Sequence, residues 1–132
     1  MKITADTNLL VRAVTGDDPR QSPLAKAELA DAELVVLTLP ALCELVWVLS
    51  RGYRQRPSKI AEGVRRLADS TNVVVDRPAV DVGLSFLEAG ADFADGVIAH
   101  QGAWLGGEEF VSFDRQAVSV LRARGEAARL LA

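Results

Sequence analysis

Five carboxylates stand out in the 132-residue chain because each borders or interrupts an apolar run. Asp6 ends the opening segment MKITA, Glu44 is the one charged residue in LPALCELVWVL, Asp92 and Asp95 fall in GADFADGVIAH, and Asp114 follows FVSF. A carboxylate set in an apolar helix is costly unless it is paired or binds a cation, which makes Glu44 the sharpest anomaly. The structural alternative for Glu44 is a place at the edge of the buried face with its head in solvent, and the other acids have alternatives as well. Asp6, Asp92 and Asp114 are suited to helix N-caps, and Asp95 falls in a first helical turn, where the dipole favours an anion. Gly96, next to Asp95, is read as leaving room for a ligand to approach. Acids drawn from four separate segments are what one or two hard divalent cations require. Mg²⁺ and Mn²⁺ prefer oxygen ligands and keep several waters, so a few carboxylates and a substrate phosphate complete their shell. Such a site supports phosphodiester hydrolysis, in which one cation lowers the pKa of a bound water and a second stabilises the leaving oxygen. Asp6, Glu44, Asp95 and Asp114 are therefore expected to hold the metal and carry catalysis. No side-chain nucleophile is needed. Cys43, in the apolar helix, reads as core, and His100, about 140° round the helix from Asp95, as peripheral.

The elements that must position these acids follow from the pattern of apolar runs and breakers. Strands are expected at Met1–Ala5, Leu34–Leu37, Asn72–Val75 and Phe110–Phe113, with a short edge strand at Ala128–Leu131. Helical stretches lie between them: Leu9–Val14, Pro23 to about Ala32, Pro40 to about Arg51, Pro57–Ala68, Ala79–Ala89, Phe93–Leu105 and Arg115–Arg124. Leu34–Leu37 shows no alternation, as expected of a strand covered on both faces. Strands separated by helices imply crossover connections and a parallel sheet, hence an α/β fold, a three-layer α/β/α sandwich with a central parallel sheet of four to five strands. Residues 1–132 read as one domain. In such sheets the functional crevice lies beyond the carboxyl ends of the strands, which is where Asp6 and Asp114 fall.

Composition agrees with one ordinary globular domain, at 49% hydrophobic and 25% charged residues. It gives no support for a disordered chain or a disulfide scaffold. A single cysteine and the absence of an apolar leader or an 18-residue apolar run lead to the expectation of a cytoplasmic protein with no membrane partner. The net charge of −3 argues, at first, against binding a polyanion by bulk attraction. Setting aside the four proposed ligands leaves fourteen acids against fifteen bases, so the acidity is concentrated in the proposed pocket. Arg51, Arg54 and Arg56 cluster after the Glu44 helix and are the candidate contacts to substrate phosphate, with Arg65 and Arg66 on the next helix. A solvated turn and helix face is the alternative. Trp47 and Trp104 are expected in the core or at a dimer interface.

Four segments in this order, ADTNLL, the lone acid in PALCELVWVL, ADFADGVIAH and FVSFDRQA, make the chain resemble a PIN-domain ribonuclease of the VapC toxin type over essentially its whole length. Position by position, Asp6, Glu44, Asp95 and Asp114 match the family's acidic residues. Asn8 and Ser112 match its supporting polar positions, and Asp92 an acid present in part of the family. The resemblance implies a Mg²⁺- or Mn²⁺-dependent endoribonuclease that arrests translation. It also implies a homodimer held inactive by a cognate antitoxin.

Two other classes share features with this sequence. A receiver-like signalling domain is also a small α/β fold with an acidic Mg²⁺ pocket, and Asp76 would be its phosphoacceptor. It requires a lysine after a late strand, whereas the lysines are Lys2, Lys26 and Lys59. A catalytically silent PIN-fold binding module predicts at least one acidic position lost, and all four are present.

Overall fold

The computed structural model describes all of residues 1–132. The chain divides into two compact units, Met1–Asp76 and Arg77–Ala132.

The first unit contains β1 (Lys2–Thr4), α1 (Thr7–Thr15), α2 (Gln21–Asp31), β2 (Leu34–Val36), α3 (Leu39–Arg51), α4 (Pro57–Ala68) and β3 (Val73–Val74). Its strands form one parallel sheet in the order β1-β2-β3, with Ile3 opposite Val35 and Val35 opposite Val73. Val35, in the central strand, is fully buried, as its unalternating run requires. The helices bury their apolar stripes beside it: Leu10 from α1, Leu42, Leu45 and Leu49 from α3, Ile60 and Val64 from α4. Asn72 fastens the sheet to α2, its side-chain amide donating to the carbonyls of Leu29 and Ala32 at 2.8 and 3.0 Å. Helix α2 starts two residues ahead of Pro23. The reason is Asp18, whose carboxylate accepts from the amides of Arg20 and Gln21 and so nucleates the turn earlier. Pro23 then sits in the first turn, where its missing N–H has no intrahelical partner to lose.

The second unit contains α5 (Arg77–Glu88), α6 (Phe93–Trp104), β4 (Phe110–Ser112), α7 (Arg115–Ala123) and β5 (Ala128–Leu130). Strands β4 and β5 are parallel, with Val111 opposite Arg129. Phe86, Ala117, Val118, Leu121 and Ala128 make its core, with Ala99 and Phe110 packed against them.

The α/β class and the parallel direction of all five strands are as the sequence implies. The strands are hydrogen-bonded as a three-stranded and a two-stranded sheet, where one sheet of four to five was expected. Each strand is only two or three residues long, so each ladder is short.

Gly96 has a different role from the one expected of it. A methyl group placed on it would lie 2.9 Å from Gly83 Cα, Phe86 Cγ and the Val82 carbonyl. The space beside Gly96 is therefore filled by α5, and the glycine serves helix–helix contact. Gly83 returns the favour, since a methyl there would meet the Phe93 ring at 2.8 Å.

Candidate functional site

Asp6 and Asp114 stand at equivalent places, each just beyond a parallel strand and at the N-cap of the following helix. Asp6 Oδ1 accepts from the Leu9 amide at 3.0 Å. Asp114 Oδ1 accepts from the amides of Gln116 and Ala117 at 2.9 and 3.0 Å. The capping role considered from the sequence is thus real, yet it occupies one oxygen of each carboxylate. The amides lock both rotamers and leave Oδ2 without a protein partner. Ser112 helps to place Asp114, its hydroxyl oxygen accepting from the Asp114 backbone amide at 2.9 Å. Asn8 is exposed in the first turn of α1.

Asp92 occupies the N-cap of α6 but makes no side-chain capping bond, so its carboxylate is uncommitted. Asp95, one turn on, is half-buried. Burial, and after it the negative charges of Asp92 and Asp114, push the Asp95 carboxyl above the ordinary aspartate range. The second unit thereby brings three of the expected acids within electrostatic reach of one another. A cation is the natural counterpart of that crowding, since it would relieve both the burial and the repulsion. No group of three or more His, Cys, Asp or Glu side chains is drawn together closely enough to hold a metal ion. The fit of a cation in the second unit rests instead on donor chemistry: oxygen ligands only, with a free, rotamer-locked oxygen on Asp114 and a carboxyl on Asp95 whose charge is disfavoured without a partner.

Glu44 is exposed, so the alternative of a carboxylate with its head in solvent holds in place of the costly buried acid. Helix α3 is apolar in sequence, but Pro40, Glu44, Trp47 and Arg51 recur at helical spacing along its exposed stripe, so Glu44 keeps its water. Cys43 is half-buried and lies outside the core in which it was expected. Trp47 and Trp104, 61% and 85% exposed, are likewise not core residues, because their positions face away from the buried stripes of α3 and α6. His100 is half-buried on α6.

Arg51, Arg54 and Arg56 are all exposed and none makes an ion pair. Their loop is nonetheless held. The Tyr53 hydroxyl donates to Asp17 Oδ2 at 2.7 Å, and Thr15 and Arg12 donate to Oδ1 of the same carboxylate. These bonds, the Tyr53 hydroxyl foremost, keep Asp17 below its ordinary range. The Gln55 amide donates to the Leu49 carbonyl at 3.0 Å. The anchor was missed in the sequence because Asp17 and Tyr53 are 36 positions apart. A lone tyrosine in a basic turn was the available signal.

The cap geometry predicts a separable outcome at Asp114. Asp114→Ala removes the acceptor for two amides and should lower stability by about 1 kcal/mol. Asp114→Asn retains a side-chain oxygen there and should melt near the wild type, a difference readable by thermal unfolding.

In each unit a parallel strand hands an aspartate to the N-terminus of the helix after it, and in the second unit a charge-crowded aspartate lies nearby, features of a class of acidic α/β domains. Within that class the chain belongs to the PIN domain family, whose model matches residues 3–122. PIN domains are typically nucleases that use divalent metal ions. Family membership sets aside the receiver-like alternative and with it the phosphoacceptor role for Asp76. No curated protein matches the chain. None of its helices is long and apolar enough to cross a membrane.

Proposed function

We propose that the chain is a Mg²⁺- or Mn²⁺-dependent endoribonuclease, with Asp6, Glu44, Asp95 and Asp114 as its metal ligands. Asn8, Asp92 and Ser112 support them, and Arg51, Arg54 and Arg56 receive the RNA backbone. The observation that carries this reading is the state of Asp95, a half-buried carboxylate facing the charges of Asp92 and Asp114.

When bound, a divalent cation supplies an activated water and positive charge against the scissile phosphate. The chain's own residues supply the rest. Asp6 and Asp114 present an oxygen in a rotamer fixed by backbone amides, so little ordering is left to be done on binding. Ser112 fixes the backbone that carries Asp114. The three unpaired arginines offer bidentate donors to phosphate, Arg51 from the end of α3 and Arg54 and Arg56 from the following loop that Tyr53 and Asp17 hold in place. The role in the cell is that of a cytoplasmic toxin, homodimeric and paired with an antitoxin. The toxin and antitoxin parts of this reading rest on the sequence resemblance. The exposed Trp47 and Trp104 are suited to a protein interface.

The test is cleavage of single-stranded RNA by purified protein stripped of metal with a chelator. Activity should be absent in the stripped protein and return on addition of Mg²⁺ or Mn²⁺. Cleavage that persists in chelator overturns the metal-dependent reading.

A further inference from the structure

Beyond the three arginines, the first unit carries a cavity of about 280 Å³ where the loop after α3 runs into α4, lined by Gln55, Arg56, Ser58, Lys59, Glu62 and Arg66 among others. Its charges do not cancel. Arg66 donates to Glu62 at 2.6 Å, so those two neutralise each other. Arg56 and Lys59 have no carboxylate against them, which leaves two uncompensated cations facing one concavity. Gln55 and Ser58, also in the lining, carry a side-chain amide and a hydroxyl that can serve as neutral donors. Two cations with flanking neutral donors suit a phosphodiester, which spreads one negative charge over oxygens that each accept several hydrogen bonds. The backbone of the wall is also held before any ligand arrives, through the hydrogen bond from the Gln55 backbone N–H to the Leu49 carbonyl and the Tyr53 anchor on Asp17.

We infer that this cavity is a phosphate subsite for the RNA strand, with Arg56 and Lys59 as its charged contacts and Gln55 and Ser58 as its neutral ones. Lys59, Gln55 and Ser58 thereby join the RNA-binding surface, and Arg56 is assigned a place within it apart from Arg51 and Arg54. The inference rests on the ribonuclease reading.

The experiment measures binding of a labelled single-stranded RNA to the intact, metal-stripped protein by fluorescence anisotropy across a salt series. R56A/K59A is compared with R20A/K26A, a double variant that removes the same charge from exposed positions on or just before α2. Two lost phosphate contacts should lower the slope of log K against log salt by about 1.4 and weaken binding at least 10-fold at low salt. The R20A/K26A slope should stay at the wild-type value. R56K/K59R should restore the slope, which separates lost charge contacts from misfolding. A wild-type protein that cleaves RNA with metal, while R56A/K59A binds with the slope of R20A/K26A, overturns the subsite and leaves the nuclease reading standing. Loss of inorganic phosphate binding in R56A/K59A with RNA binding intact overturns it in favour of a free-anion site. A wild-type protein that neither binds nor cleaves RNA overturns the nuclease reading and the subsite with it.

Discussion

Asp95→Asn should lower RNA cleavage more than about 100-fold, at or beyond the upper end of what even the outer partners of a metal ligand cost, while raising the melting temperature of the metal-free protein. The two effects have one cause. The Asp95 carboxylate is half-buried and faces Asp92 and Asp114, so its charged form is disfavoured in the folded chain. As pH rises through its raised value, the unfolded chain has already released a proton that the folded chain still holds, and stability falls across that window. Above it, the folded metal-free protein carries an unrelieved charge. Asparagine has no proton to lose and removes the repulsion, so the variant melts higher in chelator at neutral pH. With Mn²⁺ present the order should reverse, because the wild type then gains stability from binding that the variant lacks. Differential scanning fluorimetry in chelator and in Mn²⁺, together with the cleavage assay, reads all three outcomes. An Asp95→Asn protein that cleaves at the wild-type rate removes Asp95 from the site.

Gly96→Val should cost roughly 2–3 kcal/mol and lower the melting temperature by roughly 10 °C. The added carbons would enter space held by Gly83 Cα, the Phe86 ring and the Val82 carbonyl, all at 2.9 Å from the first of them. Two of those atoms are backbone, so relief requires α5 and α6 to move apart, which exposes apolar surface of Phe86 and Phe93. Gly102, on the same helix, is the control. Nothing lies within 4 Å of a methyl placed there, so Gly102→Ala should stabilise by about 0.5–1 kcal/mol through helix propensity. Opposite signs at two glycines of one helix, measured by denaturant unfolding, would establish that contact rather than backbone preference governs Gly96.

These glycines also mark the limit of what the sequence could convey. The five strands and seven helices were legible because apolar runs bounded by Pro, Gly and Asp carry local information. Asp6 and Asp114 were legible for the same reason: each follows a strand and begins a helix. What Gly96 faces depends on Gly83 and Phe86, residues of another helix, and no periodicity within α6 encodes that. Glu44 misled in the same way. The run around it is apolar almost without a break, but a helix of 13 residues has an outer stripe, and only the fold decides that Pro40, Glu44, Trp47 and Arg51 lie on it. Arg56 was picked out by clustering, whereas its separation from Arg51 and Arg54 depends on the Arg66–Glu62 pair that leaves Lys59 as its companion. The net charge of −3, which at first spoke against an RNA partner, is set beside acids that gather and cations that stand unpaired elsewhere.

The central claim, that these acids are metal ligands, is tested most directly by calorimetric titration of Mn²⁺ into the wild type and Asp6→Asn. The substitution keeps an oxygen to accept from the Leu9 amide, so the α1 cap and the melting temperature should be retained. The account predicts Mn²⁺ binding by the wild type and binding at least 10-fold weaker by Asp6→Asn. Equal affinity in the two proteins, or no Mn²⁺ binding by the wild type, would contradict it.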